Sequence, residues 1–220
     1  GWPSREVFLK AERLRWIQWP GTGIDYFASV PELVASDVVL TNVRGPHANA
    51  MADHVLGMVL SFAHRSRELW EDQRAHRWDP GKYDGRMTEL TGQTMGILAL
   101  GDIGMAVARR AHAFGMDVYA VKRQRMPPPP FVNELWGTER LEDLLGISDW
   151  FVVTAPFTSE TEGLIDRRRI GLLKPGAHLI VISRGGIVDE EAMIDGLRAG
   201  RLAGAGLDVM EQEPLPPDSP

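Results

Sequence analysis

The sequence predicts an α/β protein built on a doubly wound parallel sheet. From about Thr91 onward, short apolar runs alternate with segments in which apolar residues recur at helical spacing. Runs that are apolar throughout indicate strands buried on both faces, between two layers of helices. A turn rich in small residues separates the first run from the first helix, as in doubly wound sheets.

The alternation gives five strands and four helices. The strands are residues 95–100, 118–121, 150–154, 178–182 and 202–209, and the helices are residues 103–114, 141–145, 164–173 and 190–198. Gly115 is expected to end the first helix, and Asp189 to cap the last. A doubly wound sheet usually has at least six strands, so we expect the sheet of this chain to lack its C-terminal strand.

The region before this sheet predicts part of a second, flavodoxin-like α/β domain. Residues 14–19 and 38–43 have the pattern of strands, joined by a turn-rich stretch and a short helix. Two strands are too little sheet for a domain, so its N-terminal portion is expected to be missing. Residues 48–73 have the pattern of one long helix. The expected domains are therefore residues 1–47 and residues 48–220.

Composition excludes several classes of protein. With 220 residues, 44% of them hydrophobic, the chain can bury a sizeable core, and no apolar stretch approaches the ~20 residues of a membrane span. The segment GWPSREVFLK lacks the pattern of a signal peptide. The absence of cysteine excludes disulfides and thiolate chemistry and fits a cytoplasmic protein. A net charge of -6 argues against a nucleic-acid partner, and the scattered histidines lack metal-ligand spacing, so no metal is expected.

The turn after the first strand of the sheet predicts a dinucleotide site. Ala99, Gly101 and Gly104 occupy the three small positions of a GxGxxG-like pattern. Such a turn presents backbone amides at a helix N-terminus to a pyrophosphate, with no side chain in the way. The alternative is an ordinary strand–helix turn. The strand before it, the helix after it and the second strand downstream favour binding.

The end of the second strand predicts which cofactor binds. An NAD site places an acidic residue there, about 20 positions beyond the glycine turn, to bind the ribose hydroxyls. This sequence has Lys122, Arg123 and Arg125 instead, and cations favour the 2′-phosphate of NADP. A solvated basic loop edge is the alternative. We therefore expect NADP in preference to NAD.

Polar residues at the later strand ends are candidates for substrate chemistry. Arg184 follows the fourth strand, and its guanidinium can hold a carboxylate and polarise the adjacent carbonyl. Glu213 follows the fifth strand, as does Asp208, and a carboxylate there can orient an imidazole and raise its pKa. The alternative for each is an ordinary surface or capping residue. Residues 20–25, PGTGID, can bind an anion through their amides or form a simple turn.

Together these features resemble the NAD(P)-dependent D-2-hydroxyacid dehydrogenases. Segments similar to that family's signatures occur in the family's order over about residues 14–214. They are WIQWPGTGID, TNVRGPHANAMADH, GILALGDIGMAVARRAHAFGMDVYAV, TAPFTSETEGLID, ISRGGIVDEEAMIDGLRAGRLAGAGLDV and EQEP. The resemblance implies a Rossmann nucleotide-binding domain preceded by part of a substrate-binding domain. It also implies reduction of a small 2-oxo acid, such as glyoxylate or hydroxypyruvate, by hydride transfer from NAD(P)H.

The resemblance further implies roles for individual residues. Thr22 and Gly23 offer amides to the substrate carboxylate, Arg184 binds the 2-oxo acid, and Glu213 supports the catalytic histidine. The residues placed along the cofactor are Asp102 and Ile103 under the pyrophosphate, Pro156 and Thr161 along its length, Ile182 and Ser183 beside the nicotinamide, and Asp208 at the carboxamide. The family is usually homodimeric through its nucleotide domain, which would give the predicted helix over residues 48–73 a second role.

Four departures from the family pattern stand beside this resemblance. Ala99 replaces the usual first glycine, Asp53 replaces a glutamate, and Lys122 replaces the acid of NAD-preferring members. The fourth concerns the general acid, because no histidine follows Glu213, and this segment alone is therefore expected to be inactive. A non-catalytic, corepressor-like dinucleotide-binding protein and an inactive remnant are the alternatives. The presence of Arg184 and Glu213 argues against a pure binder.

Overall fold

The computed structural model describes residues 4–124 and 126–220. Contacts between Cα atoms divide the chain into two compact units, Gly1–His47 and Ala48–Pro220. Within the described ranges, no helix is both long enough and apolar enough to cross a lipid bilayer.

The N-terminal unit contains a two-stranded parallel sheet. Its elements, in chain order, are helix α1 (Arg5–Lys10), strand β1 (Trp16–Gln18), a 3-10 helix (Asp25–Ser29), helix α2 (Pro31–Val34) and strand β2 (Val39–Thr41). Both predicted strands are present, although each is shorter than its apolar run. A small core of Phe27, Val30 and Leu33 packs against partly buried residues of both strands.

The second unit alternates strands and helices after an initial helical region. Its elements are helices α3 (Ala48–Ala63) and α4 (Ser66–Arg74), a 3-10 helix (Pro80–Tyr83), strand β3 (Thr94–Leu98), helix α5 (Asp102–Ala113), strands β4 (Asp117–Val121) and β5 (Glu134–Trp136), a 3-10 helix (Thr138–Arg140), helix α6 (Leu141–Ile147), strand β6 (Trp150–Val153), helix α7 (Arg167–Ile170), strand β7 (Ala177–Val181), helix α8 (Glu190–Arg198) and strand β8 (Leu202–Leu207).

The strands of the second unit form one parallel sheet in the order β5-β4-β3-β6-β7-β8. One face of the sheet packs against α3 and α5 through an apolar cluster that includes Val55, Val107 and Ile97. The other face packs against α6, α7 and α8 through a second cluster that includes Leu144 and Leu179. Both faces are thus buried, which confirms the predicted doubly wound α/β fold and explains why the strands are apolar throughout.

The predicted count of five strands is wrong, because the described residues contain a sixth strand of the sheet. This is β5, which pairs with β4 at the edge and places Leu135 opposite Ala120. It has only three residues and follows the proline run of residues 127–130, so it left no apolar run to detect. With six strands present, the strand count no longer supports a missing C-terminal strand.

The predicted helix over residues 48–73 is two helices, α3 and α4. Arg65, between them, has a φ of 53°, in the left-handed region that a continuous helix cannot contain. The carbonyl of Ala63 accepts a hydrogen bond of 2.9 Å from the amide of Thr88, a partner from outside the helix. The helix predicted over residues 164–173 covers only Arg167–Ile170, which is α7. The predicted N-cap at Asp189 is confirmed, because its side chain accepts a hydrogen bond of 2.8 Å from the amide of Ala192.

One buried carboxylate organises the chain after α4. Asp72 is 4% exposed and accepts hydrogen bonds from Arg77 (2.9 and 2.7 Å), Lys82 (2.7 Å) and the hydroxyl of Tyr83 (2.6 Å). The bonds from Lys82, Tyr83 and Arg77, in that order of effect, hold the pKa of Asp72 well below its usual range. The segment from α4 to the 3-10 helix is therefore tied to one charged group.

Candidate active site

The glycine turn lies at the switch point of the sheet. Strand β3 pairs with β4 on one side and β6 on the other, so the chain order reverses at its carboxyl end. Both neighbours hold the end of β3: the amide of Ala99 donates to the Val121 carbonyl (3.0 Å), and the hydroxyl of Thr154 donates to the Ala99 carbonyl (2.5 Å). Open α/β sheets bind their ligands at this position.

The two glycines of the turn have different surroundings. A Cβ on Gly104 would lie 2.5 Å from the Ala99 carbonyl oxygen and 3.1 Å from the Thr154 hydroxyl, so only glycine lets α5 pack this closely on the turn. A Cβ on Gly101 would meet no protein atom within 4 Å. Packing therefore does not require glycine at residue 101, whereas a ligand in contact with the N-terminus of α5 would.

The first turn of α5 is suited to an anion. The helix runs for 12 residues from Asp102, and no described side chain caps its N-terminus. Its amides and its dipole therefore favour a negatively charged group in the space in front of Gly101. The residues present fit a pyrophosphate, with Asp102 and Ile103 in the first turn and the exposed Gly101 facing the open space.

The alanine in the first small position of the motif is strained. Ala99 has a φ of 75°, a left-handed conformation that glycine adopts at little cost and alanine does not. The turn nevertheless forms, because the bonds from Ala99 to β4 and from Thr154 to Ala99 hold it on both sides.

The predicted cationic group lies at the end of β4. The amide of Lys122 donates to the carbonyl of Trp136 on β5 (2.9 Å), and its ammonium lies 3.2 Å from the sulfur of Met126. Arg123 is exposed and forms an ion pair of 3.0 Å with Glu160. Arg125, the third cation of the predicted group, lies outside the described residues. Because β4 adjoins β3, Lys122 and Arg123 lie beside the glycine turn, where the ribose of a dinucleotide would be expected.

The loop after β6 is held together by its own polar residues. The hydroxyl of Thr161 donates to the carbonyl of Pro156 (2.7 Å) and accepts from the amide of Thr158 (2.8 Å). The structure thus brings the two predicted cofactor residues of this loop together at the carboxyl edge of the sheet. Their predicted contact with a cofactor stays a prediction.

The loop after β7 contains three predicted site residues. Ile182 is buried, and the hydroxyl oxygen of Ser183 is also buried, with no hydrogen-bond partner within the described ranges. Arg184 is exposed, and one of its guanidinium nitrogens donates to the Ser183 carbonyl (2.8 Å). A Cβ on Gly185 would overlap the Met210 carbonyl, so glycine here lets this loop pack backbone to backbone against the loop after β8. Ser183 therefore offers a hydroxyl that a polar ligand group could bond.

The loop after β8 contains the two predicted carboxylates. Asp208 lies 3.4 Å from Nε2 of His54 on α3, a histidine that sequence reasoning did not single out. Glu213 accepts a hydrogen bond of 3.0 Å from the amide of Met210, which turns its carboxylate toward its own loop. The contact between His54 and Asp208 joins residues remote in sequence, so no local pattern could have revealed it.

The predicted anion-binding turn in the N-terminal unit is fixed by β2 and the residues after it. The side chain of Asn42 donates to the Thr22 carbonyl (2.7 Å), and the amide of Val43 donates to the Gly21 carbonyl (3.3 Å). Thr22 is exposed and Gly23 is half-buried. They belong to the N-terminal unit, whereas Arg184 belongs to the second unit.

A cavity of about 500 Å³ lies beside the Arg184 loop but has the wrong charge for a carboxylate substrate. Its lining residues are Phe157, Glu162, Gly163, Asp166, Gly185, Gly186, Asp189 and Glu211. Four of these are acidic, and two of the four, Asp166 and Asp189, already cap the helices that follow them. The parts of the chain that the structure describes contain no group of three acidic or histidine residues that could hold a metal ion.

A doubly wound sheet with a glycine turn at its switch point is the architecture of a dinucleotide-binding domain. The described chain matches the model of the D-isomer specific 2-hydroxyacid dehydrogenase NAD binding domain over residues 56–220. The chain belongs to the D-isomer specific 2-hydroxyacid dehydrogenase family.

Individual relatives agree with this membership. Glyoxylate/hydroxypyruvate reductase B of Pectobacterium carotovorum subsp. carotovorum is 38% identical, over 99% of this chain and 68% of that protein. A D-isomer specific 2-hydroxyacid dehydrogenase from Xanthobacter autotrophicus Py2, solved with NADPH and MES, is 35% identical with a TM-score of 0.83, over 97% of this chain and 66% of that one. The NADPH-dependent glyoxylate/hydroxypyruvate reductase of Sinorhizobium meliloti, solved with NADP and sulfate, is 27% identical with a TM-score of 0.88, over 100% of this chain and 69% of that one. The chain thus spans about two thirds of the length of these relatives.

Proposed function

We propose that this chain is the cofactor-binding part of a reductase that converts a small 2-oxo acid to the D-2-hydroxy acid with NAD(P)H. The observation that carries the proposal is the open space at Gly101, in front of the uncapped N-terminus of α5 and at the same edge of the sheet as Arg184. The names of the relatives support glyoxylate or hydroxypyruvate as the class of substrate. Residues 1–47 would then be part of the substrate-binding domain, with Thr22 and Gly23 in contact with the substrate carboxylate.

The residues that would hold the cofactor are those of the glycine turn and the strand ends beside it. The amides of Asp102 and Ile103 would bind the pyrophosphate, and Asp208 and the buried hydroxyl of Ser183 would bond the carboxamide end. When bound, the reduced nicotinamide supplies a hydride to the substrate carbonyl carbon. We propose NADP in preference to NAD, because Lys122 and Arg123 stand where an NAD site has an acid.

Arg184 would bind and activate the substrate. Its planar guanidinium can form two parallel bonds to a carboxylate and also stabilise negative charge that develops on the neighbouring carbonyl oxygen. The backbone of Gly185 packs against the loop after β8, next to the residue from which this side chain extends. A histidine would protonate the oxygen, and Glu213 would orient that ring, with one carboxylate oxygen already held by the Met210 amide. Residues 214–220 contain no histidine.

We also propose that the protein is a homodimer and that it is cytoplasmic. Support for a dimer comes from the segment that follows α3, where Trp70 is 61% exposed and Trp78 is 92% exposed. Large aromatic side chains with this exposure are typical of protein–protein contacts. The hydrogen bonds to Asp72 hold this segment in a defined conformation, so it offers a pre-organised surface to a second copy.

The test of the proposed function is turnover by the protein in its natural full length. The absorbance of NADPH is followed with glyoxylate and with hydroxypyruvate, for the parent and for Arg184→Ala, Arg184→Lys and Arg198→Ala. We expect Arg184→Ala to lower kcat/KM by about 100-fold or more, and the lysine to restore only part of the loss. Arg198→Ala removes the same charge from the exposed end of α8 and should retain the parent rate.

Two results would contradict the proposal. Undiminished turnover by Arg184→Ala would remove Arg184 from the site. Cofactor binding without turnover on a panel of 2-oxo acids would favour the non-catalytic dinucleotide-binding alternative.

A further inference from the structure

An ion pair crosses the carboxyl end of the central strand. Arg123 lies in the loop after β4 and Glu160 in the loop after β6, and their side chains meet at 3.0 Å. Both strands pair with β3, one on each side, with Val121 and Val153 both in register with Leu98. The ion pair therefore joins the two loops that flank the glycine turn, on the side where the ribose of a dinucleotide is expected.

This ion pair is exposed to solvent, and the loop of Glu160 is held by other bonds. The side chain of Arg123 is 82% exposed and that of Glu160 is 69% exposed, so solvent screens their attraction. The Glu160 loop is shaped instead by Thr158 and Thr161, whose hydroxyls bond the backbone of the same loop. Since solvent screens the pair and the Glu160 loop has other bonds, the two charges are available to a ligand at small cost.

We propose that Glu160 is a specificity-determining residue for the cofactor, because it competes with a 2′-phosphate for Arg123. This inference rests on the proposed function. A 2′-phosphate must displace the Glu160 carboxylate from the guanidinium and then lies close to a like charge. A ribose 2′-hydroxyl has neither cost, since it can donate a hydrogen bond to the same carboxylate. Glu160 thus provides a carboxylate, from the loop after β6 on the other side of β3, in place of the acid that an NAD site has at the end of β4.

Consequently the loop after β4 favours NADP while Glu160 opposes it. The net preference between NADP and NAD is weaker than the cations alone indicate. Substitution of Glu160 should reveal the preference that Lys122 and Arg123 produce.

The experiment measures binding, not turnover. Isothermal titration of the full-length protein gives Kd for 2′,5′-ADP, 5′-AMP, NADPH and NADH, for the parent and for Glu160→Gln, Glu162→Gln and Arg123→Gln. We expect Glu160→Gln to tighten 2′,5′-ADP and NADPH by about threefold to tenfold at low ionic strength and to weaken 5′-AMP and NADH by about twofold. Arg123→Gln should selectively weaken the binding of 2′,5′-ADP and NADPH, the two ligands that carry a 2′-phosphate. Glu162→Gln removes the same charge two positions along the same loop and should leave the ratio of Kd values unchanged.

Three other outcomes would each contradict a specific claim. If both kinds of ligand bind the parent but Glu160→Gln leaves their ratio unchanged, Glu160 does not determine specificity and the proposed function stands. If Glu162→Gln shifts the ratio as much as Glu160→Gln, the effect is one of net charge, and the competition for Arg123 is wrong. If the parent binds none of the four ligands, the proposed function fails and this inference fails with it.

Discussion

Replacement of His178 tests how the structure responds to acid. The imidazole lies at the start of β7, stacked on Trp150 with 4.1 Å between ring centroids and 13° between planes, and Phe62 lies 5.2 Å away. Burial and, to a smaller extent, the charge of Arg65 lower the pKa of His178 from 6.5 to about 4. The ring is therefore neutral in the folded protein at a pH where the unfolded chain would protonate it.

The sign of the effect follows from proton linkage. Because the folded pKa is the lower one, the unfolded state binds more protons between the two values, so stability is full above pH 6.5 and falls toward pH 4. If the shift acted in full, the free energy of unfolding would fall by about 1.8 kcal/mol between pH 7 and pH 5. The ring is only partly buried, so solvent screening reduces the expected loss to about 1 kcal/mol.

The assay is urea unfolding of the parent and of His178→Phe at both pH values, followed by circular dichroism. Phenylalanine keeps an aromatic ring against Trp150 but cannot take up a proton. The parent should lose about 1 kcal/mol more than the variant between pH 7 and pH 5, because carboxylates contribute equally in both proteins. His112→Phe makes the same exchange at an exposed position and should behave as the parent. An identical loss in the parent and in His178→Phe would refute the reasoning.

The remaining predictions concern the glycine turn and the segment that follows α4. Gly104→Ala should lower the free energy of unfolding by about 1–3 kcal/mol in urea, because its Cβ would meet the Ala99 carbonyl. Gly101→Ala should lower it by about 0.5–1 kcal/mol, because its Cβ meets no neighbour and the cost is only that of alanine at the N-cap of α5. The same Gly101→Ala should weaken NADPH in titration by about tenfold or more, and unchanged affinity would contradict the proposed cofactor position. Asp72→Asn should speed hydrogen exchange of residues 75–86, and parent-like exchange there would show that Asp72 does not order the segment.

Much of the fold was predictable because its signals are local. The five long strands are continuous apolar runs, since a strand covered on both faces by helices has no polar side. Two single residues were equally informative. Gly115 has a φ of 74° after α5, and Asp189 caps α8, and both depend only on the few residues next to them.

The predictions that were wrong concern places where a residue remote in sequence determines the local structure. Strand β5 exists because β4 offers it an edge, and its three residues carry no pattern of their own. At the break between α3 and α4, the amide of Thr88 bonds the carbonyl of the last residue of α3. In both places the backbone satisfies its hydrogen bonds through a remote partner, which periodicity cannot reveal.

The functional site shows the same difference between features that are local in sequence and features that depend on remote residues. The sequence by itself determined the family resemblance, the glycine turn and the candidate residues at the strand ends, because each is a short pattern next to an apolar run. Only the tertiary structure decided that Gly104 is required for packing while Gly101 faces open space, and that Arg123 meets Glu160 across β3. The physical reason is that the order of strands in the sheet, which is not written in any one segment, determines which loops become neighbours.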